Sequence, residues 1–305
     1  MMVEYESVRG DGAGIIDLSA SRGRIRVSGS EATMFLNGLI TNDIKNATEN
    51  NWLPAVFPTV QGRLIGAVRI LRQDEGFLID TESPAHEAIL KTISRFTMAG
   101  DFRVSDVSDE MALLTVQGKR AAEVIQGIDA IVVRATHTGE DGFDLLVNGN
   151  DVVSVTEKLV AAGAQPVSSD VFEMLRIEAG IPRHGQDMDE TNIVLEANFD
   201  DAISYTKGCY LGQEIIIRIK HRGHVAKRLT GLRMNEPVEN GETITSAEGK
   251  EIGRVTSATY SPELENPIAL GYVRYEFLAP GTVVKVDDIS GTVVELPFVR
   301  GSWHE

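Results

Sequence analysis

The chain has 305 residues, 42% of them hydrophobic, which is enough to bury a sizeable core in two or three compact units. Its 29 lysines and arginines face 45 acidic residues, and the resulting charge of −16 disfavours general binding to nucleic acid, direct DNA binding included, or to an anionic membrane. No apolar run approaches the roughly 20 residues needed to span a bilayer and the N-terminus has no signal-peptide pattern, so a cytoplasmic protein is expected; the single cysteine excludes an internal disulfide and any intramolecular thiolate cluster for zinc or iron–sulfur.

Residues 14–18 and 24–29 read as two short strands, after which Ser30 is placed to cap a helix carrying Ala32, Phe35, Leu36 and Leu39 on one face. Residues 53–60, 64–71 and 77–81 read as strands, and Ser83-Pro84 opens a helix that turns Ile89, Leu90, Ile93 and Phe96 toward a core. The rhythm then repeats: strand 111–117, helix 119–126, strands 131–137 and 143–148, and a helix from Asp151 to about Ala162. Two α+β units of similar grammar follow from that repetition. After Gly223 the pattern changes to short strands at 228–234, 242–245, 251–259, 268–273, 282–287 and 291–296, punctuated by Gly, Pro and Asn, which predicts a small β-barrel or sandwich. The expected division is therefore 1–222, holding two α+β subdomains whose elements can interleave, and 223–305, the C-terminal β-barrel.

Several segments carry chemistry. KGCYLGQEIIIR (207–218) sets the only thiol, Cys209, beside Lys207 and between Gly208 and Gly212, an arrangement that can lower a thiol pKa and keep the sulfur approachable; a free cysteine is also a common small core residue. Arg218, Lys220, His221, Arg222, His224, Lys227 and Arg228 reverse the acidic background and read either as an anion-binding patch or as a solvated face. His221 and His224 are the one histidine pair with metal-ligand spacing and are taken as part of that patch, so no metal site is expected. THTGEDGFDLLV (136–147) is a tight turn entering a strand, LRIEAGIPRHGQDMDE (175–190) ends a helix near Arg176 and Glu178 and runs into an acidic loop, and LITND (39–43) is a helix end with a turn.

In order and spacing, TGEDGF, RIEAG with HGQDMDE, and the late IGRVTS and ALGYV resemble the folate-binding superfamily of the glycine-cleavage T-protein, a tetrahydrofolate-dependent aminomethyltransferase, over nearly the whole chain. KGCYLGQE followed by Arg218 and Arg222-Gly223 resembles the YgfZ-type branch, whose members are regarded as folate-binding proteins assisting assembly or repair of iron–sulfur clusters in a subset of enzymes, tRNA-modifying ones among them. A departure agrees with that branch. In the aminomethyltransferases an aspartate important for one-carbon transfer lies a few residues beyond the position of Gly62, where this chain has Arg63, Leu64, Ile65, Gly66 and Ala67.

The resemblance implies two ferredoxin-like, T-protein-type α+β subdomains and a C-terminal barrel, arranged as a cloverleaf around a central folate channel. It implies tetrahydrofolate or a one-carbon-substituted folate as cofactor, and iron–sulfur assembly or client proteins as partners. Glu178 matches the family's pterin-contacting glutamate, since one carboxylate can accept the amide N–H and exocyclic amine of the pterin together. Gly139, Glu140 and Phe143 would line the same site, while Lys207, Arg218 and Arg222 would meet the glutamate tail. Cys209, with Lys207 supporting its thiolate, would act on sulfur, iron or the folate. The alternative function is a tetrahydrofolate-dependent aminomethyltransferase or demethylase.

Overall fold

The computed structural model describes residues 1–73, 75–98 and 100–304. In chain order the elements are α1 (Met2–Arg9), β1 (Gly14–Asp17), β2 (Arg22–Ser28), α2 (Ala32–Leu39), β3 (Leu53–Pro58), β4 (Leu64–Gln73), β5 (Gly76–Glu82), α3 (Ser83–Ser94), β6 (Arg103–Asp106), β7 (Met111–Gln117), α4 (Ala121–Val124), β8 (Ile131–Arg134), β9 (Gly142–Asn148), α5 (Val152–Ala161), β10 (Gln165–Pro166), α6 (Ser169–Glu178) and α7 (Gln213–Arg222). Six further strands follow: β11 (Lys227–Met234), β12 (Thr243–Ser246), β13 (Glu251–Ser261), β14 (Asn266–Arg274), β15 (Val283–Val286) and β16 (Ile289–Val294).

The first sheet has the order β3-β4-β5-β2-β6, and the second β10-β1-β7-β9-β8. β1 thus leaves the chain's start to join a sheet whose other strands come after the first sheet is complete. Helix α3 covers one face of the first sheet because Ala85, Ile89 and Ile93 recur at four-residue spacing and meet Ile25, Ile70 and Ile79. α5 does the same for the second sheet with Val155 and Leu159 against Leu114, Val116 and Leu145. The other faces meet each other through Leu71 and Leu78 from one side and Ile16, Leu113 and Leu146 from the other.

A buried ionic chain crosses that seam. Asp80 is bound by Arg22 at 2.7 Å and Arg69 at 2.6 Å, and Arg69 reaches on to Asp144 at 2.8 Å, which also accepts from Trp52 Nε1 at 2.9 Å and contacts His137 Nε2 at 2.9 Å. Each buried acid therefore shares a guanidinium, which offsets its desolvation.

The C-terminal strands close into a barrel in the order β11-β14-β13-β12-β15-β16, filled by Leu232, Met234, Ile244, Val255, Val273, Val284 and Val293. Its outer face packs on α6 through Leu229, Ile268, Leu270 and Ile177. A register shift between Val255 and Ser257 turns two successive hydroxyls, Thr256 and Ser257, toward Asp187, each donating at 2.6 Å.

Three local expectations differ from the structure. Ser30 does not cap α2: its N–H and hydroxyl bind the Asp101 carboxylate at 2.9 and 3.0 Å, and the helix starts two residues later. The helix expected over 119–126 is a single turn, Ala121–Val124. Helix α1 was not read from the sequence, because its buried positions are only Tyr5 and Val8 among polar neighbours.

Candidate functional site

Tyr5 and Arg9 lie one turn apart on α1 and so point the same way, into the C-terminal end of α6. There Glu178, fully buried, accepts from Tyr5 Oη at 2.9 Å, Arg9 Nε at 3.1 Å, Arg9 Nη2 at 2.8 Å and the Ser261 hydroxyl of β13 at 2.5 Å. Arg9 Nη1 also donates to Glu140 at 2.8 Å, whose other oxygen accepts the Ser302 N–H at 2.8 Å and hydroxyl at 2.6 Å. Burial alone would raise Glu140, but the Ser302 hydrogen bonds and Arg9 overcome it and hold the carboxyl below its ordinary range.

Four of the expected site residues lie in or beside this network. A carboxylate offers about four acceptor positions, and Glu178 accepts from four donor groups, the Tyr5 hydroxyl, two Arg9 nitrogens and the Ser261 hydroxyl. Glu140 is likewise occupied. Gly139, in the left-handed region at φ 82°, forms the turn whose carbonyl accepts the Trp303 N–H at 3.2 Å, and half-buried Phe143 packs against the core of the second sheet. Together they clamp α1, α6, the barrel and the C-terminal segment onto one another.

Lys207 is equally committed. Helix α2 ends at Leu39, leaving its last carbonyls without intrahelical partners, and Lys207 Nζ donates to the carbonyls of Asn37, Ile40 and Asn42 at 2.6, 2.9 and 2.6 Å. All three ammonium protons are thereby used, and burial pulls its pKa down to about 8. It therefore ties the 207–212 loop to the end of α2. Cys209, two residues on, is exposed. Past it, Gly212 takes φ 76°, and a Cβ there would stand 2.4 Å from the Thr59 carbonyl in the β3–β4 turn, so glycine is required on both counts. The thiol thus sits on a loop braced at both ends. Arg218 and Arg222 are exposed on α7 with no salt bridge among the described residues, and the helix buries only Ile216.

Glu196 is not among the residues expected to form the site. It lies in a 3-10 turn, Val194–Ala197, and is 5% exposed; its carboxylate accepts the Ile193 N–H at 3.3 Å and a hydrogen bond from the Asn192 side chain. No cation of the described residues comes within salt-bridge distance of it. Burial raises its pKa, and Lys227 and Arg63 lower it only from farther off. Three parts of the chain meet here: Leu64 N–H donates to the Asn192 carbonyl at 3.0 Å, Val194 N–H to the Gly62 carbonyl at 3.2 Å, and Asn198 to the Leu229 carbonyl of β11 at 3.0 Å. The Thr59–Gly62 turn that touches Glu196's segment on one side touches α7 beside Ile215 on the other. An acid inside the apolar run Ile193, Val194, Leu195, Ala197 was the available signal.

The chain matches the GCVT N-terminal domain over residues 1–129 and 124–207, and the glycine cleavage T-protein C-terminal barrel domain over 227–300. It belongs to the glycine-cleavage T-protein family. Among T-protein relatives, the aminomethyltransferase of Rubrobacter xylanophilus is 30% identical over 97% of this chain and 86% of its own length. That of Thermoanaerobacter pseudethanolicus is 28% identical over 93% and 84%. A chloroplastic protein of Arabidopsis thaliana, described as a candidate transferase, is 29% identical over 95% of this chain and 72% of its own length. The T-protein fold itself is matched by aminomethyltransferase T of Bartonella henselae with a TM-score of 0.88 at 23% identity, over 98% of this chain and 89% of that one. No helix among the described residues is long and apolar enough to cross a membrane.

Proposed function

We propose that this T-protein relative binds tetrahydrofolate and serves the assembly or repair of iron–sulfur clusters in a subset of enzymes, tRNA-modifying ones among them, in the cytoplasm. The observation that carries the folate reading is Glu196: a buried carboxylate touched only by neutral donors, at the meeting point of the first sheet, the 190–198 segment and the barrel. Such a group is stabilised by two adjacent N–H donors, which the amide and amine edge of a pterin supplies. Glu196 therefore takes the role that the resemblance gave to Glu178. The bound folate would supply a one-carbon carrier.

Two features support the accessory role over aminomethyl transfer. The stretch after Gly62, where the aminomethyltransferases carry their aspartate, presents Arg63, whose Nη1 donates to the Thr191 carbonyl at 2.8 Å. And an exposed thiol on a braced loop is suited to accept or ligate a partner's sulfur or iron, the cluster being cargo rather than a resident group. Arg218 and Arg222, exposed on the same side of that loop's helix, suit an acidic partner surface.

Complementation tests this. A strain lacking such a factor regains cluster-dependent tRNA thiolation with the wild-type gene and not with Cys209→Ala. Equal rescue by both removes the thiol from the mechanism. The aminomethyltransferase reading instead requires methylene-tetrahydrofolate from tetrahydrofolate and a methylamine donor, and the accessory reading expects none.

A further inference from the structure

Helix α7 ends on the surface with Lys220, His221 and Arg222, all exposed. Gly223, at φ 94°, closes the helix and turns the chain, and the next residue, His224, lies flat on Tyr275 with the ring centroids 3.8 Å apart and the planes 13° from parallel. Both rings are on the surface, and Tyr275 is 47% exposed. Lys220 Nζ stands 5.1 Å from the ring centroid of a second exposed aromatic, Tyr205, and Arg274, also exposed, precedes Tyr275 in the chain.

A helix C-terminus carries about half a negative charge, which a single cation answers. Lys220, Arg222 and Arg274 exceed that, and none of them forms a salt bridge among the described residues. Of the acids beside them, Glu276 is exposed next to Tyr275, and Asp200, near Tyr205, is held by Arg228 at 2.5 Å. The net charge of −16 belongs to the whole molecule. Exposed charges farther off than a Debye length of about 8 Å are largely screened at physiological salt, so a contact surface is governed by its own groups.

Charge alone would suit any polyanion, and the aromatic pair decides among them. Ring faces carry the negative part of the aromatic quadrupole, which repels carboxylates. A nucleobase instead stacks on such a face, and His224 and Tyr275 are already parallel, so a base on the open side continues their stack. In a duplex the base faces are covered, which leaves an unpaired segment as the occupant.

We infer that this surface takes an unpaired stretch of RNA, with a base on the His224–Tyr275 stack and the adjoining phosphates on Lys220, Arg222 and Arg274. The choice of RNA over DNA rests on the proposed function, in which tRNA-modifying enzymes are among those served; the stack and the cations stand apart from it. RNA then lies at the C-terminal end of α7, and the protein partner at the end nearer Cys209.

The test is fluorescence anisotropy of a labelled oligoadenylate RNA titrated with the full chain. Affinity falls about 20-fold between about 50 and 200 mM salt, as three phosphates at a slope near −0.7 each require, and in Lys220→Gln/Arg222→Gln the fall shrinks to about threefold. Tyr275→Ala binds about tenfold more weakly with the salt dependence unchanged, while Tyr275→Phe, which keeps the ring, binds as the wild type does; unchanged thermal unfolding verifies the fold of each variant. No saturable binding by the wild type overturns the inference. So does a Tyr275→Ala protein that binds like the wild type, because the surface is then an unselective anion patch. Displacement of the RNA by an oligoglutamate peptide at equal charge concentration also overturns it and assigns the surface to an acidic protein. Complementation keeps the two proposals apart: rescue by the wild-type gene without RNA binding removes this surface and leaves the accessory reading, whereas RNA binding without rescue does the reverse.

Discussion

Arg9→Met keeps most of the aliphatic bulk of the side chain and removes the cation that Glu178 and Glu140 share. Three charge-assisted hydrogen bonds vanish, two to Glu178 and one to Glu140. Glu178 keeps Tyr5 and Ser261, and Glu140 keeps Ser302, so both remain solvated by neutral donors but lose their counter-charge. Removing one partner of a buried pair costs about 3–5 kcal/mol, and the loss is expected in that range, measured as a lowered urea midpoint. Adding Glu178→Gln returns part of it, because the uncompensated charge is gone; coupling of about 0.5–3 kcal/mol is usual for residues in one network. The pH dependence has a definite sign. Glu140's folded pKa lies below its ordinary 4.5, so the stability it contributes is present above that value and is lost as pH falls through the folded pKa. The gap between wild type and Arg9→Met therefore narrows below about pH 4.5. A loss under about 1 kcal/mol, typical of an exposed pair, or a gap that does not change with pH, refutes the argument.

Other consequences are more local. Burial first, then Arg69 and Arg22, hold His137 below its ordinary 6.5 against the pull of Asp144; the unfolded chain binds the proton more readily, so stability falls as pH drops through 6.5 toward the folded value, and His137→Gln flattens that slope in urea titrations between pH 7 and 5. Gly212→Ala forces a side chain into φ 76° and against the Thr59 carbonyl and costs about 2 kcal/mol or more; an unchanged midpoint would show that the 207–212 loop is not braced there. Lys207→Met strands three carbonyls and costs about 3 kcal/mol, while the rate of Cys209 alkylation by iodoacetamide at pH 7 stays within about threefold of wild type. A much larger fall would make Lys207 a thiol-activating residue after all.

The fold was largely legible because its signals are periodic. Ile89 and Ile93 at four-residue spacing, and the alternation along β4, state which face is buried, and the Gly-, Pro- and Asn-punctuated strands after Gly223 close into the barrel. The site was less so, because charge and polarity do not announce their partners. Glu178, Glu140 and Lys207 look like ligand residues in one dimension; in three, Arg9 binds the two acids from 169 and 131 positions away, and Lys207 meets carbonyls at and just beyond the end of α2, the farthest 170 positions away. Glu196 is the opposite case: it resembles a stray acid in an apolar run until its burial, without a salt bridge among the described residues, singles it out. The stack of His224 on Tyr275 is likewise assembled only by the fold.

The most direct measurement is tetrahydrofolate titration of three proteins by calorimetry: wild type, Glu196→Gln and Glu178→Gln. The account predicts saturable binding by the wild type, loss of at least about tenfold in affinity for Glu196→Gln with little change in unfolding, and, for Glu178→Gln, lowered stability with near wild-type affinity. Wild-type affinity in Glu196→Gln, with binding abolished only in a folded Glu178→Gln, would return the pterin to α6 and contradict it.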